Sequence, residues 1–199
     1  MKTRMAVAAA ASIALVAAMS GCSKDSAPPA ASKSSSSSAS TSATSAAPAQ
    51  PADYTALLIK GTDLVAPEVF TAGEATQNPS GNPGVATAFS NPDGTHVVGD
   101  TILILPDPAA ATAALEAAKA GLGTNVVGGA PAPIEAGTGG TTVSGNSPDG
   151  SKSVTVVLFT EGKAFVTLEF DGPKDADAPP DFVKDVAQKQ AAAIKSGLR

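Results

Sequence analysis

The chain has 199 residues, with 13 Lys and Arg against 18 Asp and Glu for a formal charge of −5, and is 43% hydrophobic but only 4% aromatic. That length predicts one ordinary domain. An acidic chain with one His, one Cys and no Trp excludes nucleic-acid binding, a disulfide scaffold and any multi-ligand Cys/His metal centre.

Lys2 and Arg4 precede an uncharged run from Met5 to Ala18, which ends in Met19-Ser20-Gly21-Cys22. Basic residues held at the cytoplasmic face, a short apolar run and small residues beside a cut predict a signal peptide over residues 1–21. The run falls well short of the ~20 residues a transmembrane helix needs. Ser20, Gly21 and Cys22 resemble the lipobox of bacterial lipoproteins, with Met19 where that family usually carries Leu. The resemblance implies a diacylglycerol on the Cys22 thiol, cleavage before Cys22 and acylation of the new amino group. At ~0.8 kcal/mol per buried CH2, two or three such chains hold a protein durably on a membrane.

Residues 22–52 are rich in Ser, Ala, Thr and Pro, include the unbroken run Ser34 to Ser38, and lack Tyr, Phe, Leu, Ile and Val. No core can form from them, so they predict a disordered tether, spanning roughly 30 Å, whose hydroxyls are either a bare spacer or sites for O-linked sugars. The remaining domain, residues 53–199, has nine basic against seventeen acidic side chains, a charge that repels anionic lipid and nucleic acid. It is long enough to fold alone as a monomer.

Tyr54, Leu57 and Leu58 have helical spacing and predict a first helix near 54–60. Val85 to Ser90, the turn Asn91-Pro92-Asp93-Gly94 and the apolar return through Leu105 predict a β-hairpin. Asp107 and Pro108 start a helix that Ala109 to Ala120 carry and Gly121 or Gly123 ends. The Gly-rich stretch from Gly123 to Gly140 predicts a long mobile loop. Thr141 to Ser144, the turn Ser147-Pro148-Asp149-Gly150, Val154 to Phe159, a tight turn at Glu161-Gly162 and Ala164 to Phe170 give further strands. A last helix runs from Pro180 or Asp181 to Ser196, with Phe182, Val183, Val186, Ala187 and Ile194 as its stripe. Val154 to Phe159 is apolar on both faces and belongs inside the sheet, with helices over at least one face. The order predicts an α+β fold, an antiparallel sheet with helices packed on it. Two strand–turn–strand–helix units are either a repeat or a coincidence of a common turn.

The lipobox, the tether, the Asp53-Tyr54 start, the Phe89 to Leu105 hairpin, Asp107-Pro108-Ala109 and the Gly162-Lys163-Ala164-Phe165-Val166 strand together resemble the small mycobacterial lipoproteins of the LpqN kind. That resemblance implies a PsbP/Mog1-like sandwich. A looser likeness is to the sensor domain of mycobacterial kinases of the PknH type, whose disulfides this chain lacks. Neither family hands over a catalytic residue that matches here.

Candidate chemistry is sparse. Gly145 to Ser153 comes close to a P-loop, but Ser151 intervenes before Lys152 and strands lie on both sides, so a hairpin turn is the expectation. His96 stands alone, with no G-x-S-x-G nucleophile elbow anywhere, and reads as a surface or edge-strand residue. Asp171, Asp175, Asp177, Asp181 and Asp185 lack the alternation and central Gly of an EF-hand and read as a solvated loop entering a helix. Gly121-x-Gly123 follows a helix, where a dinucleotide fingerprint follows a strand. The sequence therefore predicts no catalytic, cofactor or metal residues and one modified residue, Cys22. The expected function is a non-catalytic, lipid-anchored binding module on the extracytoplasmic face of the cell membrane, recognising an apolar envelope ligand or a protein partner. The alternatives are an assembly factor without a pocket and a carboxylate-based hydrolase. A Val/Leu/Phe-lined pocket, a fully packed core or convergent carboxylates in a cleft discriminates among them.

Overall fold

Eight strands form one antiparallel sheet in the computed structural model, which describes residues 53–198. The expected signal peptide, Cys22 and tether lie outside the described residues. The strands are β1 (Thr71–Ala72), β2 (Thr76–Gln77), β3 (Gly84–Ser90), β4 (Val97–Ile104), β5 (Ala132–Pro133), β6 (Thr138–Asn146), β7 (Lys152–Glu161) and β8 (Ala164–Pro173). They lie in the order β1-β3-β4-β8-β7-β6-β5, with β2 also on β3. The class is α+β, as the order of elements predicts.

All three expected hairpins form, β3–β4, β6–β7 and β7–β8. β3 and β4 pair Phe89 with Val98 and Val85 with Ile102, and the Gly94 N–H closes the turn on the Asn91 carbonyl at 3.0 Å. β7 and β8 pair from Glu161 and Ala164 outward, around Gly162 at φ 57°, a left-handed corner that glycine enters without steric cost.

Strand alternation then assigns the two helices to opposite faces. Helix α1 (Pro108–Asn125) places Leu115 and Leu122 against Val154, Val156 and Leu158. Helix α2 (Pro180–Gly197) places Val183, Val186 and Ile194 with Val157, Phe159 and Val166. Consecutive residues of β7 thus enter two cores, so a strand apolar on both faces is stable only inside the sheet.

Three expectations are corrected. Helix α1 runs through Gly121 and Gly123 to Asn125, because Leu122 and Val126 are both buried and the Val126 N–H reaches the Leu122 carbonyl at 2.9 Å. Its start is as expected, with the Asp107 carboxylate accepting from the Ala110 N–H at 2.8 Å. The Gly123–Gly140 stretch is not a free loop. Val127 bridges Asn146, β5 pairs with β6 and Ala136 is buried. Its glycines permit close backbone approach; a Cβ at Gly129 would stand 2.1 Å from the Ser144 carbonyl oxygen.

The first helix is reduced to two 3-10 turns, Thr55–Leu57 and Gly61–Asp63. The fully buried Gln190 side chain accepts from the Ile59 N–H at 3.1 Å and donates to the Leu57 carbonyl at 2.7 Å. Those are backbone groups a continuing helix would need for itself. Gln190→Leu therefore strands both in the core, at about 1–3 kcal/mol for each unpaired group. A urea melt should show the loss as a lowered midpoint with unchanged slope. Among the described residues, both apolar clusters draw on residues 54–198, and these fall within one compact unit.

Candidate functional site

Where β4 begins and β8 ends, the register sets Val98 opposite Phe170 on the α2 face. Phe182, in the first turn of α2, packs edge-on to Phe170 with ring centroids 5.8 Å apart. It also stacks against Phe70, which precedes β1, at 6.0 Å and 23°. These side chains floor a cavity of about 420 Å³ walled by the segments 65–70 and 172–179. That volume lies in the range of small-molecule sites, which are mostly apolar with a few placed polar groups.

The polar groups stand at the rim. Glu68 lies 2.9 Å from His96 Nδ1 through one oxygen and accepts from Asn91 Nδ2 at 2.8 Å through the other. Asn91 is buried, and its own carbonyl oxygen accepts from the His96 backbone N–H at 3.1 Å. Glu68 and His96 are each more than a third exposed, so water screens their attraction and its energy is small. Its consequence is positional: the 65–70 segment is tied to the β3–β4 turn, with Val65 and Val69 left 71% and 74% exposed beside the cavity. On the other wall the backbone folds back so tightly that a Cβ at Gly172 would lie 2.9 Å from the Ala176 carbonyl oxygen. Asp177 accepts from the Ser153 hydroxyl there, and Asp171 pairs with Lys152 at 2.9 Å.

His96 is therefore not an isolated surface residue; it lines the cavity. Among the described residues its ring meets Glu68 and Asn91, not a Ser hydroxyl. The P-loop-like stretch closes the β6–β7 hairpin. Asp149 accepts from the Ser147 hydroxyl at 2.6 Å and from the Ser151 N–H and hydroxyl at 3.1 and 2.8 Å. These bonds, the Ser147 hydroxyl foremost, hold its carboxyl down at about 2. The acidic run disperses: Asp185 pairs with Lys189 at 2.8 Å, Asp181 sits in the first turn of α2, and among the described residues no three His, Cys, Asp or Glu side chains converge on a metal-sized site.

On the α1 face, beyond the end of α1, a second cleft of about 450 Å³ holds Lys152, Glu169 and Asp171. Burial, then the charge of neighbouring Asp171, pushes the Glu169 carboxyl up. This is the arrangement closest to a carboxylate pair. A third carboxyl went unnoticed in the sequence. Asp100 on β4 is fully buried, neither of its oxygens has a hydrogen-bond partner, and desolvation pushes it up to about 8. Its place between Val98 and Ile102 was the signal, because a charged residue on the inward phase of an apolar strand has no water to meet.

No family model matches this chain, and no curated protein matches it. Among solved structures it is similar to the extracellular domain of PknH from Mycobacterium tuberculosis. The identity is 12%, covering 75% of this chain and 97% of that one, with a TM-score of 0.49. At that level the likeness assigns neither family nor function. Among the described residues no helix is long and apolar enough to cross a membrane.

Proposed function

We propose that the chain is a cell-envelope lipoprotein of the LpqN kind, held on the extracytoplasmic face of the membrane through acylated Cys22. Its domain, acting as a monomer, binds an apolar ligand without transforming it. The observation that carries the binding half is the 420 Å³ cavity floored by Val98, Phe70, Phe170 and Phe182. The anchoring half rests on Ser20-Gly21-Cys22 and the tether. N-phenyl-1-naphthylamine, an uncharged apolar dye that brightens out of water, should bind residues 46–199. Ala178→Trp, which puts a large side chain on the cavity wall, should abolish the brightening with the thermal melt retained. A dark dye with the wild-type domain, or equal brightness with Ala178→Trp, overturns the binding half.

For the anchor, Cys22→Ala should leave unprocessed precursor that no longer partitions into detergent. A variant still cut and still partitioning as the wild type contradicts it. The second reading, a carboxylate-based hydrolase, is favoured by Glu169 beside Asp171. It requires Glu169→Gln to abolish a turnover that the Ala178→Trp variant retains.

A further inference from the structure

We infer, resting on the binding reading above, that the pocket selects its ligand by charge: it takes an apolar body with a cationic head of the alkylammonium type and rejects carboxylate and phosphate amphiphiles. Among the described residues, the lining carries the carboxylates Glu68 and Asp177 and neither Lys nor Arg; Asp171, one residue beyond Phe170, turns its carboxylate to the α1 face beside Glu169. His96 faces Glu68. Asp177 has only the neutral Ser153 hydroxyl, so its charge stands uncompensated at the mouth.

An anionic head would need donors, and the place to look for them is the N-terminus of α2, where backbone N–H groups usually serve anions. Here that end keeps only half of its usual free donors, the N–H groups of Asp181 and Phe182. Pro179 and Pro180 have no N–H to give, and Asp181 already sets a negative charge against the helix dipole in the first turn. The floor points the same way. Phe70, Phe170 and Phe182 line it with aromatic rings, which attract alkyl chains by burial and offer an ammonium a π system but an anion nothing. Carboxylates at the mouth over an aromatic floor make a site for an organic cation, and both features oppose an anion.

The test compares octyltrimethylammonium, 1-octanol and octanoate as displacers of N-phenyl-1-naphthylamine from residues 46–199 at neutral pH and low salt. The cation should bind about tenfold or more tighter than octanoate, with octanol between, and the ratio should shrink with salt. Asp177→Asn should lower the cation-to-anion ratio several-fold while leaving octanol unchanged. Glu161→Gln, the same change in net charge made at the opposite end of the sheet, should leave the ratio as it is. Octanoate binding as tightly as the cation, or Asp177→Asn and Glu161→Gln having equal effects, overturns charge selection while the apolar pocket stands. Dye that never binds removes the pocket reading itself.

Discussion

Val157→Asp should leave the domain unfolded at neutral pH. Val157 is fully buried in the core beneath α2, so the change forfeits ~1.5–3 kcal/mol of apolar burial. It also places a carboxyl where only the neutral form is tolerable, and keeping such a group protonated at pH 7 costs about 4 kcal/mol when its ordinary value is near 4. Together these terms cost about 6 kcal/mol, which matches or exceeds the whole stability of a domain at the low end of the typical range of roughly 5–15 kcal/mol. The neighbouring change Val156→Asp should be milder. Val156 is buried too, in the core against α1, but it borders the cleft beside Glu169, so a carboxylate there has a route to water that one at Val157 lacks. Circular-dichroism melts of the two variants distinguish the faces: a flat, unfolded trace for Val157→Asp and a lowered but cooperative transition for Val156→Asp.

Asp100→Val should act in the opposite sense and stabilise the domain. The wild-type carboxyl is ordinarily near 3.8 and about 8 in the folded chain, so the folded state binds a proton that the unfolded state releases. Its contribution is most favourable below about 4 and is lost as pH rises toward 8, amounting to about 4 kcal/mol by pH 7. Replacement by Val removes that loss together with two unpaired buried oxygens, and the melting temperature at pH 7 should rise by about 10 °C. Asp100→Asn should flatten the same pH window but gain less, because it keeps polar atoms in the core. Asp149, Asp53 and Glu135 are lowered by their hydrogen bonds and partners, so they act in a separate window, losing stability as pH falls below about 4. A wild-type stability that rises from pH 5 to pH 8 would contradict the reading of Asp100.

The hairpins and helices were legible because their signals are local. Asn91-Pro92-Asp93-Gly94 and Asp107-Pro108 carry their own turn and cap chemistry, and the two-sided apolar run of β7 announces an interior strand. What failed was decided by partners far along the chain. The first helix is undone by Gln190, 131 residues from Ile59. The glycines of residues 123–140 signalled freedom in sequence, yet Gly129 and Gly137 proved to be close contacts against β6 and β7. His96 illustrates both halves of the lesson. Composition offers it no expected catalytic partner set, but its place in a cavity depends on Glu68 and on phenylalanines from three segments, Phe70, Phe170 and Phe182, that only the sheet brings together. Asp100 was visible as a letter, and its environment became visible only with the register.

The central claim is that the cavity at the end of β4 and β8 is occupied in the protein's own setting. Native mass spectrometry of the chain released from its envelope tests this most directly, with Ala178→Trp prepared in parallel. The account predicts an apolar, non-anionic adduct on the wild-type chain that is missing from the filled-pocket variant. Bare wild-type protein, or the same adduct on both chains, would contradict it.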